Sequence, residues 1–204
     1  MADNDPIQNM QGRSQMERLA DFINEAGMLR LTPRTGYQFL GTGAENVAEH
    51  SHRTAIIGYV LARLAGADAA RTVLLCLFHD LHEARTGDFN YVNRMYNTTD
   101  ARRALEHASA GTGLEGDILP LWDELAANDS QEAMLAHDAD QLDLIFNLKR
   151  ESEKGNAFAD AWLANSLKRL KTPQGQELAA VAKDTPTFFW WYHGPAPKWW
   201  EEGK

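Results

Sequence analysis

The chain has one cysteine, Cys76, so no disulfide can form within it. In the apolar run Val73-Leu74-Leu75-Cys76-Leu77-Phe78 that thiol reads as a small buried hydrophobe. No window approaches the roughly 18 consecutive apolar residues that span a bilayer, which excludes a transmembrane helix and argues against a membrane partner. The opening residues, MADNDPIQNMQG, have neither the positive region nor the apolar stretch of a secretory signal, and a cytoplasmic protein is expected. Cationic residues are the minority, 20 Lys+Arg against 29 Asp+Glu, for a formal net charge of −9. Such a chain lacks the positive field that displaces counterions from a polynucleotide. A nucleic-acid polymer is therefore excluded as a partner, whereas a small anion held by a metal or a few arginines is not. Strict polar/apolar alternation is missing throughout, so no strand is expected, and there is no internal repeat or linker.

What is present is a helical pattern. A hydrophobic fraction of 44% in 204 residues suits one domain with a real core. Met16, Leu19, Phe22 and Ile23 share a helix face after Ser14, and Gly27 marks its stop. Residues 30–44, with Pro33, Gly36, Gly41 and Gly43, read as an ordered loop. A second helix is expected over about 45–64 and a third from the cap Asp68 to about Ala84, where Gly87 breaks it. Residues 88–97 read as irregular or a short helix. Further helices are expected from Thr98-Thr99-Asp100 to about Ser109 and over about 117–127, 130–153, 157–171 and 174–183. The resulting organisation is a disordered stretch 1–13, one helical domain 14–185 and a tail 186–204. The tail contains Trp190, Trp191, Trp199 and Trp200 and is expected to pack on its own domain or on a partner subunit.

Polar residues at buried ends of these helices carry the chemistry. His79-Asp80 closes the run RTVLLCLF, where polar groups are costly to bury without a partner such as a metal. Glu83 follows by one turn on the same face, and an acid near a helix C-terminus opposes the macrodipole, which favours a functional role. His50 lies near the start of the preceding helix, so an antiparallel pair brings it to His79. Asp140 sits near the apolar face formed by Leu135, Ala136, Ala139, Leu142, Ile145 and Phe146. Its neighbours Asp138 and Asp143 are expected on other faces, solvated, and His52 and His82 are expected beside the site or exposed. Two histidines and two aspartates without a thiolate suit Mn, Fe, Co, Ni or Zn. Singly, each of these residues is more often an ordinary structural one; it is the ordered set that carries weight.

Four segments in order, LRLTPRTGY (29–37), ENVAEHSHR (45–53), FHDLHEARTGD (78–88) and HDADQLDLI (137–145), resemble the HD-domain phosphohydrolases. The similarity is greatest to the branch of the bacterial 5′-deoxynucleotidase and its human HD-domain-containing relatives, and it covers roughly residues 15–165. The resemblance implies an all-α fold, a single HD-domain helical bundle, with one divalent metal ion held by His50, His79, Asp80 and Asp140. It further implies that Glu83 and Asp88 are catalytic and that Arg34 contacts the substrate phosphate. In the bacterial enzyme a tryptophan after that arginine helps reject ribose; Thr35 stands here, so the sugar preference does not carry over. The expected activity is that of a metal-dependent 5′-nucleotidase, releasing phosphate from (deoxy)nucleoside 5′-monophosphates, in a homodimer. Two alternatives stand beside it: an HD phosphodiesterase or (p)ppGpp/nucleoside triphosphate hydrolase, and a non-catalytic metal-bound interaction protein.

Overall fold

Most of the longer helices in the computed structural model, which describes residues 12–191 and 194–203, start where a polar side chain accepts from a free N–H group of the first turn. Ser14 and Glu17 form a capping box at the head of α1 (Gln15–Ala26), and Asn46 and Glu49 form another at α2 (Val47–Ala65). Gly66, left-handed at φ 68°, ends α2. Asp68 then caps α3 (Ala69–Phe78). Short helices α4 (Glu83–Thr86) and α5 (Tyr91–Tyr96) lead to α6 (Ala101–Ser109) and α7 (Glu115–Ala127). Ser130 caps the longest helix, α8 (Gln131–Glu153). It is followed by α9 (Ala157–Ser166), α10 (Pro173–Asp184) and, in the tail, α11 (Lys198–Glu201).

The fold is all-α, as expected: among the described residues there is no strand, only an isolated antiparallel bridge between Pro33 and Asn46. No helix of the described residues is long and apolar enough to cross a membrane. The disorder expected for residues 1–13 falls, for 1–11, outside the described residues.

The main core joins α2, α3 and α8 through Leu61, Leu75, Leu135, Leu142, Ile145 and Leu148, all essentially inaccessible to water. Cys76 is buried within it. A second cluster, including Phe22, Val47, Leu81, Leu105 and Ile118, fastens α1, α6 and α7 around the head of α2. The first turn of α2 and the end of α3 lie between these two apolar masses, so polar groups placed there are buried by construction.

Two expectations are corrected. The third helix does not run to Ala84. It stops at Phe78 because the His79 ring nitrogen Nδ1 takes the Cys76 carbonyl at 2.6 Å, an acceptor the next helical turn would have used. The chain then tightens into three-residue turns, with Leu81 N–H on the Phe78 carbonyl and Glu83 N–H on that of Asp80. Asp138, expected in solvent, is wholly buried. Its carboxylate accepts from Lys171 N–H, Thr172 N–H and the Thr172 hydroxyl, and so docks the head of α10 on α8. Gly175 makes room for it, since a Cβ there would come within 2.5 Å of Asp138 Oδ2.

Candidate active site

The loop before α2 is pinned by main-chain bonds: Arg34 N–H donates to the Glu45 carbonyl and Val47 N–H to that of Thr32. Arg34 is thereby held beside the first turn of α2, which carries His50. The antiparallel return along α3 brings in His79 and Asp80, and α8 supplies Asp140.

These four side chains converge. His50 Nε2 lies 3.1 Å from His79 Nε2, 3.5 Å from Asp80 Oδ2 and 3.2 Å from Asp140 Oδ1; His79 Nε2 and Asp80 Oδ2 are 3.1 Å apart. Donor atoms bonded at ~2.0–2.2 Å to one divalent ion have such mutual spacings. The rings are also turned correctly. Each histidine uses Nδ1 elsewhere, His79 on the Cys76 carbonyl and His50 on Asp143 Oδ2 at 2.7 Å, which leaves both Nε2 atoms for the common point.

The electrostatics call for a cation there. Burial works against charge on His50, but Asp140 and Asp143 outweigh it and push its imidazole up to about 10. Burial likewise opposes ionisation of Asp80, yet His79, Arg34 and His50 hold it well below the usual carboxylate range. Asp140 is held low in the same way by His50, His79 and Arg34. A site whose histidine keeps a proton so far above neutrality is one in which a metal ion can take the proton's place, and the donor set fits a divalent ion.

Arg34 lies over these carboxylates, with one guanidinium nitrogen 3.1 Å from Asp80 Oδ2 and the other 4.0 Å from Asp140 Oδ1. Burial disfavours its charge, but Asp80, Asp140, Asp88 and Glu83 keep it firmly cationic. Asp88 anchors the same loop: its Oδ2 accepts from Thr35 N–H at 2.6 Å and faces the Thr35 hydroxyl at 3.2 Å. Glu83 is buried in the first turn of α4, and its Oε2 has no hydrogen-bond partner. Burial, then the nearby Asp80 and Asp88, pushes its carboxyl up to about 9. His82 is half-buried against the Trp122 ring and His52 is exposed.

Asp143 corrects a third expectation. It is fully buried, bonded to His50 Nδ1 and to the Arg53 side chain, with the Asn147 amide beside it. Its spacing of four from Ala139 was the available signal, because that places it on the apolar face of α8. Asp143→Ala leaves the His50 Nδ1–H and Arg53 without their carboxylate. The metal affinity of the variant is expected to fall by about 10–100-fold, measured by chelator competition; a wild-type affinity would show that Asp143 does not orient His50.

Fold and site together define a metal-dependent phosphohydrolase of the HD type. The family model described as HD domain matches residues 26–182, and the chain belongs to that family. Among individual relatives, the 5′-deoxynucleotidase HDDC2 of Danio rerio is 27% identical over 144 residues, covering 68% of this chain and 72% of that protein. The 5′-deoxynucleotidase YfbR of Escherichia coli is 30% identical over 127 residues, covering 55% and 63%. Two solved structures share the fold. A conserved hypothetical protein from Pyrococcus furiosus superposes with a TM-score of 0.70 at 24% identity, over 81% of this chain and 99% of that one. A predicted metal-dependent phosphohydrolase from Magnetospirillum magnetotacticum MS-1 gives 0.60 at 23% identity, over 84% and 92%.

Proposed function

We propose that the chain hydrolyses (deoxy)nucleoside 5′-monophosphates to nucleoside and phosphate, with His50, His79, Asp80 and Asp140 as ligands of one divalent ion. The observation that carries this reading is the convergence of four donors under a single arginine, Arg34, which lines a cavity with Asp80 and Asp140. One metal and the half-buried Arg34 match one terminal phosphate, the cavity's other arginines, Arg94 and Arg169, being exposed to solvent, and relatives named 5′-deoxynucleotidases supply the substrate class. Nitrogen and oxygen donors favour Mn, Co, Fe, Ni or Zn. The bound ion supplies Lewis-acid polarisation of the phosphoryl group.

The remaining steps belong to the protein. Arg34 presents two N–H groups to phosphate oxygens and fixes the ester in the cavity. Glu83 has an oxygen free of partners and a raised affinity for the proton, so it is the group that moves a proton during ester cleavage. Asp88 spends Oδ2 on Thr35, and in this reading it contributes by holding the Arg34–Thr35 turn. A homodimer is part of the proposal. Its support is the exposed apolar outer side of α2 and α3, formed by Ile56, Tyr59, Val60, Leu64, Leu74 and Leu77.

Metal-reconstituted protein offered nucleoside mono-, di- and triphosphates and cyclic nucleotides is expected to release phosphate from the 5′-monophosphates. Thr35 is smaller than the tryptophan of the bacterial enzyme, so discrimination between paired deoxyribo and ribo substrates is expected to be weaker by ~1–3 kcal/mol. Efficient cleavage of triphosphates or cyclic nucleotides with inert monophosphates would overturn the assignment in favour of the phosphodiesterase or triphosphate hydrolase reading.

A further inference from the structure

We propose that the corner formed by Trp162 and Tyr91 is the nucleobase subsite, and that Trp162 sets the affinity for the nucleoside half of the substrate. This rests on the monophosphate reading above. Trp162 comes from α9, a helix that contributes none of the four donors, yet it lines the same cavity as Arg34, Asp80 and Asp140. A second, adjoining cavity shares Tyr91, Trp162 and Arg169 with the first and is lined also by Asn165 and Ser166. The space therefore has a charged end, at the donors and Arg34, and an aromatic continuation.

The geometry of that continuation is built rather than incidental. The Trp162 and Tyr91 rings stand 6.0 Å apart at 86°, two walls of a right-angled corner, and Phe39 packs edge-on against Trp162 at 6.3 Å. Arg169 lies over the Tyr91 ring at 5.2 Å and donates to its hydroxyl, which steadies the second wall. Trp162 also closes on the loop that carries Arg34. A Cβ placed on Gly36 would meet the indole at 3.7 Å, so the indole packs on the backbone two residues from the phosphate-binding arginine. A 5′-monophosphate with its phosphate at Arg34 places its base away from the carboxylates, where a flat π-face finds an aromatic surface.

The test compares a deoxynucleoside 5′-monophosphate with 2-deoxyribose 5-phosphate, which keeps the sugar and phosphate but lacks the base. Each is assayed with wild type, Trp162→Leu and Trp162→Phe. Loss of a base-stacking ring is expected to raise KM for the nucleotide by about 10–100-fold in Trp162→Leu, with kcat changed far less. The preference in kcat/KM for the nucleotide over the base-free ester should fall by the same factor, and Trp162→Phe should restore most of it. General packing damage lowers both substrates together and leaves that ratio unmoved. An unmoved ratio in a protein that cleaves nucleotides overturns the subsite and leaves the monophosphate reading intact. A wild type that cleaves no nucleoside monophosphate overturns both.

Discussion

His79→Ala protein is expected to emerge from purification with roughly a tenth or less of the divalent metal of the wild type, because one of four protein donors is gone from a site whose affinity depends on all of them. Hydrolysis should fall on the order of 10³-fold, the scale of several kcal/mol of transition-state stabilisation lost with the ion. His79 Nε2 stands 3.1 Å from both His50 Nε2 and Asp80 Oδ2, so its removal opens a gap in the middle of the donor set. The residue is also the one whose Nδ1 closes α3 on the Cys76 carbonyl. Circular dichroism on the variant therefore accompanies the elemental analysis, to separate loss of metal from loss of the helix end. Equal metal content in a folded His79→Ala protein would refute the ligand set.

Glu83→Gln separates proton transfer from metal binding. The amide keeps the shape of the side chain but cannot exchange a proton, so turnover should drop by about 10²-fold while metal content stays at the wild-type level. Wild-type turnover would remove Glu83 from the mechanism. The same substitution has an effect on stability whose sign follows from the raised carboxyl. In the metal-free fold Glu83 is pushed from 4.5 to about 9 by burial and by Asp80 and Asp88. The native state thus retains a proton that the unfolded chain releases above pH 4.5, and stability declines as pH rises from there towards 9. Glutamine carries no such penalty. Metal-stripped Glu83→Gln should melt at a higher temperature than metal-stripped wild type at pH 8, and the gap should shrink at pH 5. A gap that does not depend on pH would mean that Glu83 ionises freely in the fold.

Much of this architecture is determined by the sequence alone, because its causes are local. Asn46 with Glu49, Asp68 and Ser130 set the starts of α2, α3 and α8 through bonds spanning three residues, and the stripe from Leu135 to Phe146 marks the buried face of α8. His50, His79, Asp80 and Asp140 stand out for the same reason: each is a polar group in an apolar setting, a conflict visible without coordinates. The break after Phe78 was decided only in three dimensions, since it depends on the His79 ring capturing a carbonyl that periodicity assigns to the helix. Asp138 and Asp143 look like surface acids until α10 and Arg53 arrive to bond them, and those partners lie 34 and 90 residues away. Trp162 falls within the helix expected over about 157–171 and carries no local signal of a site. Its place beside Arg34 comes from α9 folding back over Gly36, a contact between distant segments that no local rule contains. Caps and amphipathic faces are short-range consequences of hydrogen bonding and burial, whereas the orientation of ligands and the walls of the cavity depend on which helix ends meet. Only the packed core settles that.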